Sequence, residues 1–174
     1  LRFFHRGESL AYALSSTPVG ISLLARNDYR LGKMITSECL NALVSRGPNQ
    51  GLSAAFWLAA TPEGLDLLAL DDYRIGKMIR PDCLNAVVPK GPYQGASVAF
   101  WLVGSQEGQR FFALDDYSLG KMITPDCLNA VVSRGPCQGA SVAFLLASTL
   151  VGRPLLALDD YRLGRTITSM CLNS

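Results

Sequence analysis

The chain predicts a mainly α-helical repeat solenoid, and three observations carry that expectation. A 44-residue period runs through its 174 residues; each period holds a serine ahead of a short Ala-rich apolar stretch; and a helix-starting signal such as Thr-Pro-Glu follows at once. Gly-Pro-x-Gln-Gly stands at 47–51, 91–95 and 135–139, Asp-Tyr recurs at 28, 72, 116 and 160, and Cys-Leu-Asn recurs at 39, 83, 127 and 171. Residues 47–90 and 91–134 are identical at 28 of 44 positions, more than a shared fold demands, so recent duplication is the simplest origin. We read one array, 1–174, with units at about 3–46, 47–90, 91–134 and an incomplete 135–174. Units of this kind cannot bury their apolar face alone and stack on one another.

Residues 47–90 serve as the type unit. Ser53 is a good N-cap for a first helix through Ala54–Ala60, whose small residues allow a neighbouring helix to come close. Thr61-Pro62-Glu63 then reads as cap, first-turn proline and acid at the positive end of a second helix, with Leu67, Leu68 and Leu70 as its apolar side. Asp72 is expected to cap a third, weaker helix through Met78-Ile79, where Ile75, Met78 and Ile79 fall at helical spacing and Gly76 costs about 1 kcal/mol relative to alanine. Residues 80–90 stay open. Leu84, Val87 and Val88 fit a helical face, whereas a Val pair ahead of Gly-Pro-x-Gln-Gly fits an extended arm entering a turn. A helical segment would make the unit nearly all helix, within the length range of HEAT or armadillo repeats, about 40–47 residues. An extended one would make it a helix pair with an elaborated projecting loop.

Gly51–Ala59 resembles the first-helix pattern of ankyrin repeats, G-x-T-P-L-H-x-A-A, as do Gly95–Val103 and Gly139–Ala147, and Leu84-Asn85-Ala86 resembles the step into the ankyrin hairpin. The unit departs from that pattern by carrying roughly 11 residues beyond the ankyrin length of about 33. Phe56, Phe100 and Phe144 replace the motif histidine, Leu58 replaces an alanine, and the glycine after the first helix comes late, at Gly64. Taken together the unit is similar to extended ankyrin-like repeats in large proteins of intracellular bacteria such as Legionella. That resemblance implies a cytosolic or host-delivered protein that binds other proteins through its array. WD40 blades share the length, but these units lack the alternating strands and the WD dipeptide.

Composition narrows the function classes. The chain is 49% hydrophobic and 17% charged with net charge +2, and no apolar run approaches the roughly 18–20 residues of a membrane span. Basic residues are interspersed with Asp71, Asp72, Asp115, Asp116, Asp159 and Asp160, whereas a nucleic-acid footprint is more one-sided. Leu1–Arg6 lacks the features of a secretory signal. The ragged ends fit a piece of something longer as well as capping units, with Phe3-Phe4-His5-Arg6 and Thr149-Leu150-Val151-Gly152 as the divergent stretches. Cys39, Cys83, Cys127 and Cys171, one per unit, read as reduced thiols packed as small core residues, with Cys137 the fifth. We expect no catalysis, because no His partners the thiols and neither a phosphate-cradling loop nor a zinc spacing occurs, and we expect neither cofactor nor metal.

Binding is the expected work, by a monomer and of another protein. The Gly-Pro-x-Gln-Gly loop is the best candidate, because its glycines and proline fix a projecting turn while the tip changes from Asn49 to Tyr93 to Cys137. Arg46, Lys90 and Arg134 precede the loops, and Gln50, Gln94 and Gln138 lie within them, so these eight expected partner-binding residues are Arg46, Asn49, Gln50, Lys90, Tyr93, Gln94, Arg134 and Gln138. Against this, a turn that merely reverses the chain explains the loop equally well. Tyr29, Tyr73, Tyr117 and Tyr161 with Lys33, Lys77, Lys121 and Arg165 offer ladders that could clamp single-stranded nucleic acid. Packing of the tyrosines beneath the second helix is the stronger explanation, because the neighbouring aspartates repel phosphate. Trp57 and Trp101 are expected to be buried between units, and a purely structural spacer is the remaining alternative.

Overall fold

The computed structural model describes residues 9–169, and at residues 116–117 and 159–161 it describes the backbone alone. Phe3–Arg6 and Cys171-Leu172-Asn173 lie outside the described residues, as do the side chains of Asp116, Tyr117, Asp159, Asp160 and Tyr161. The protein is mainly helical, and among the described residues it has no strand beyond one isolated antiparallel bridge between Val131 and Ser141. The chain divides into two compact units, Leu1–Cys83 and Leu84–Ser174.

The first unit contains α1 (Leu10–Ser15), α2 (Pro18–Tyr29), α3 (Ser37–Asn41), α4 (Ala54–Ala59), α5 (Pro62–Tyr73) and most of α6 (Pro81–Leu84), with 3-10 turns at Gly32–Met34 and Gly76–Met78. Its helices α1 and α2 pack together, as do α4 and α5; α1 also lies on α4, and α2 on α5. The second unit contains α7 (Val98–Gly104), α8 (Gln106–Ala113), α9 (Pro125–Asn129), α10 (Val142–Ser148) and α11 (Gly152–Tyr161), with 3-10 turns at Leu114–Tyr117, Gly120–Met122 and Gly164–Thr166. There α7 packs on α8, α10 on α11, and α7 on α10.

The first helix of each repeat starts where the serine dictates. Ser9, Ser53, Ser97 and Ser141 each accept a hydrogen bond, 3.1 Å long, from the backbone N–H three residues on, and all four are buried. The second helix starts at the next cap. Thr17, Ser105 and Thr149 accept from the N–H of Gly20, Gly108 and Gly152, whereas Thr61 instead donates its hydroxyl to the Trp57 carbonyl at 3.1 Å. Gly64 is placed by close approach: a Cβ there would lie 2.3 Å from the Leu58 carbonyl oxygen, and Gly20, Gly108 and Gly152 are pressed against their first helices in the same way. The late glycine of the sequence is thus what lets the two helices of a repeat meet.

The expected third helix is absent. Asp72 caps nothing; Asn27, Asp28 and Tyr29, and again Asp71, Asp72 and Tyr73, run through the left-handed region at φ between 51° and 58°, preceded by an extended Arg26 or Leu70. Left-handed residues cost roughly 1–2 kcal/mol each, least for Asn and Asp, whose short polar side chains tolerate the region. The Asp or Asn pair therefore ends the second helix by reversing its hand, and only a single 3-10 turn follows. Residues 80–90 divide between the two expectations: Pro81–Leu84 is one helical turn, and residues 86–89 are not helical, with Val88 bonded to Ala96 and Gly95 across the turn that follows.

Successive repeats within each unit are joined by the asparagine of Cys-Leu-Asn. Asn41 donates from Nδ2 to the Met78 carbonyl at 2.8 Å and accepts at Oδ1 from the Arg80 N–H at 2.8 Å. In the second unit Asn85 takes Met122 O and Thr124 N at 2.9 and 2.8 Å, and Asn129 takes Thr166 O and Thr168 N at 2.8 and 2.7 Å. An amide carries a donor and an acceptor side by side, so it satisfies a carbonyl and an N–H of a passing backbone at once. Arginine reaches the opposite way, Arg74 to the Lys33 carbonyl at 3.0 Å and Arg162 to the Lys121 carbonyl at 2.8 Å.

Candidate functional site

Each Gly-Pro-x-Gln-Gly sequence forms a finger closed at its base by backbone bonds. In the first, the Val44 N–H donates to the Leu52 carbonyl at 2.8 Å and the Gly51 N–H to the Val44 carbonyl at 2.9 Å; Val88 with Ala96 and Gly95, and Val132 with Ala140 and Gly139, repeat the pair. The base is anchored because Val44, Leu52, Val88, Ala96 and Val132 are buried. Within the finger the Gln50 N–H bonds the Gly47 carbonyl and the Leu52 N–H bonds the Asn49 carbonyl. Both glycines are required by conformation, since Gly47 and Gly51 sit at φ of 90° and 86° and their counterparts lie within a few degrees of these. The frame is therefore fixed by backbone bonds, glycine conformation and the buried residues at its base, and none of these involves the tip side chain.

The expected partner-binding residues fall as follows. Arg46, Lys90, Arg134 and Gln138 are exposed, and Asn49, Gln50, Tyr93 and Gln94 are half-buried. Tyr93 owes its partial burial to Trp101, whose ring it meets edge-on at 6.4 Å. In the second unit two fingers lie side by side, because the Ser133 N–H donates to the Gln94 carbonyl at 3.0 Å and the Ser133 hydroxyl approaches the same oxygen at 3.4 Å. This sets Arg134 one residue from the finger that carries Tyr93 and Gln94.

The other sequence candidates resolve into packing. Trp57 and Trp101 are half-buried and meet Phe56 and Phe100 edge-on at 5.6 and 5.5 Å. Tyr29 and Tyr73 are half-buried in their left-handed turns, and burial, with Asp66 and Glu63 nearby, raises the Tyr29 pKa above its ordinary value. Lys33 lies 3.9 Å from Asp71, and Lys77 lies 3.1 Å from Asp72, so both of these ladder lysines face a carboxylate. Cys83 and Cys127 are fully buried and hydrogen-bonded to the capping hydroxyls of Ser53 and Ser97 at 3.2 Å. Desolvation pushes both thiols up to about 11, so at neutral pH they are not nucleophiles. Cys39 and Cys137 are half-buried free thiols.

Among the described residues no group of three or more His, Cys, Asp and Glu is arranged to hold a metal ion, and no helix is long and apolar enough to cross a membrane. The asparagines that join repeats are the residues that sequence reasoning passed over. Their signal was present in the fixed spacing of Cys-Leu-Asn, which was read for its cysteine. Comparison with protein-family models, with curated proteins and with solved structures finds no match to this chain.

Proposed function

We propose that the chain is a non-catalytic protein-binding scaffold: an ankyrin-like solenoid whose stacked repeats present a row of Gly-Pro-x-Gln-Gly fingers to another protein, with the first-helix face beside them. The observation that carries this reading is an invariant finger frame, held by backbone bonds and two left-handed glycines, around a tip that is Asn49, Tyr93 or Cys137. Fixed frames with variable tips present different side chains at low conformational cost, which is how loops on rigid scaffolds recognise partners. One exposed basic residue per finger, Arg46, Lys90 and Arg134, favours a partner with acidic groups at matching intervals. A cytosolic setting, in the producing cell or in a host, fits the unpaired cysteines.

The test is affinity capture from cytosolic extract with the intact chain and with a variant in which Arg46, Lys90, Tyr93 and Arg134 are replaced together by alanine, both shown by circular dichroism to be folded. A protein retained by the intact chain alone supports the fingers as the site. A partner retained equally by both sinks that assignment. Binding of single-stranded nucleic acid at low salt, lost steeply as salt rises, would instead favour the tyrosine and lysine ladders.

A further inference from the structure

Charge is segregated along each repeat, which the near-neutral total conceals. From Cys83 to Gln106, a span holding the second finger and α7, there is no Asp or Glu and one basic residue, Lys90. From Cys127 to Gly152, a span holding the third finger and α10, there is again no Asp or Glu and one basic residue, Arg134. The acids between them, Glu107, Asp115, Asp116 and Asp126, stand on α8, in the 3-10 turn that follows it, or on α9. Lys33, Arg74, Lys77, Arg80 and Arg110 each lie 2.9–3.9 Å from a carboxylate. Among the described residues Lys90 and Arg134 have no such partner, and both are exposed.

Each of these fingers adds an uncommitted amide. The side-chain amides of Gln94 and Gln138 make no hydrogen bond to another described residue, although Gln94 is half-buried. On the second finger Tyr93 meets Trp101 edge-on at 6.4 Å, and Trp101 meets Phe100 at 5.5 Å, so the tip has an aromatic wall braced by α7. The two fingers are joined through the Ser133 N–H and the Gln94 carbonyl at 3.0 Å, and α7 packs on α10. Packed helices lie about 8–10 Å apart, so the Lys90 and Arg134 positions recur at about that pitch.

Resting on the finger reading above, we propose that the two fingers of the second unit take one kind of segment: an acidic stretch of another protein in the polyproline II conformation, with a carboxylate at every third residue. A polyproline II helix rises about 3.1 Å per residue with about three residues per turn, so every third side chain falls on one face, about 9 Å from the last. That matches the finger pitch. A β-strand covers a similar distance in three residues but turns the third side chain to the opposite face. An α-helix with acids seven apart also spans about 10 Å, yet its carbonyls are spent on internal bonds. Those of polyproline II are free to accept from the Gln94 and Gln138 amides. Proline rings dock on aromatic walls of the kind that Tyr93 and Trp101 form. Lys90 and Arg134 then each meet one carboxylate, on spans of the chain that carry none of their own.

Fluorescence anisotropy with the full chain and a labelled peptide of four Glu-Pro-Pro triplets tests this. The peptide is expected to bind, a peptide of the same composition with its Glu residues in one block to bind about tenfold more weakly, and a Lys-Pro-Pro peptide not to bind. The double variant Lys90→Glu, Arg134→Glu changes two exposed side chains, so the circular dichroism should be unchanged. It should lose affinity for the Glu-Pro-Pro peptide about tenfold and gain the Lys-Pro-Pro peptide, an exchange that a misfolded variant cannot show. Failure of the Glu-Pro-Pro peptide to bind overturns the proposal, as does equal binding of the blocked peptide. Tighter binding of a helical peptide with Glu at every seventh position, or of a single-stranded oligonucleotide, overturns it as well. If the Glu-Pro-Pro peptide fails while a protein is still captured from extract through the fingers, the polyproline partner falls and the finger reading stands; if capture does not depend on the fingers either, both fall.

Discussion

Replacing Asn41 by alanine removes the side-chain hydrogen bonds that join the first two repeats, while the packing of α1 on α4 and of α2 on α5 stays in place. Asn41 is 1% exposed and makes bonds of 2.8 Å to Met78 O, 2.8 Å from Arg80 N and 2.7 Å to Ser37 O. A buried hydrogen bond contributes about 1 kcal/mol net, and an orphaned partner that water cannot reach costs about 1–3 kcal/mol more. Met78 is half-buried and Arg80 exposed, so water replaces part of what is lost. The expected destabilisation is therefore about 2–4 kcal/mol. Asn85→Ala, at a half-buried position with the same pair of bonds to its neighbour, should cost less, about 1–2 kcal/mol. Urea unfolding followed by circular dichroism measures both. Because the joint holds neighbours together rather than the interior of one repeat, Asn41→Ala should also lower the apparent m-value as the first repeat melts separately. A loss below about 0.5 kcal/mol, with one cooperative transition of unchanged slope, would refute the role assigned to the asparagine.

Four further outcomes follow from the same geometry. Gly64→Ala forces a Cβ to within 2.3 Å of the Leu58 carbonyl oxygen and should cost about 1–3 kcal/mol in thermal or urea unfolding. Gly104→Ala, where the added carbon meets only Leu145 Cδ1 at 3.6 Å, should stabilise the chain by about 0.5–1 kcal/mol. Cys83 and Cys127 should react with a thiol reagent at pH 8 only as fast as the chain opens, while the half-buried Cys137 reacts in the folded state. Their folded pKa of about 11 lies above the ordinary 9.0, so between those values the unfolded chain releases protons that the folded chain keeps. Stability should accordingly hold up to about pH 9 and then fall, by at most about 1.4 kcal/mol per pH unit for each thiol; Cys83→Ala, Cys127→Ala double substitution should flatten that slope.

The helices that depend on local chemistry were legible in the sequence. Ser53 and Pro62 mark the starts of α4 and α5 because capping and proline act within one turn, and the structure begins both helices there. The third helix failed for a local reason that helical spacing does not reveal: Ile75, Met78 and Ile79 keep the period, but the Asp71-Asp72 pair that looked like a cap adopts a left-handed turn. Gly64 and Asn41 were illegible in a deeper sense. The glycine answers to a carbonyl of the preceding helix, and the asparagine to backbone groups about 40 residues downstream, so the repeat spacing marks both positions but does not reveal what they meet. The finger was read correctly as a turn with glycines at both ends. Its base bonds to Val44, and the partial burial of Tyr93 against Trp101, emerge only from packing.

The most direct test of the recognition account is site-specific photo-crosslinking in cytosolic extract, with a photoreactive amino acid placed in turn at Asn49, Tyr93 and Cys137, and at the exposed Asp82 and Asp126 of α6 and α9 as controls. The account predicts that one protein is trapped from the finger positions and not from the controls. Trapping of that protein with equal yield from Asp82 and Asp126, or from them alone, would contradict it.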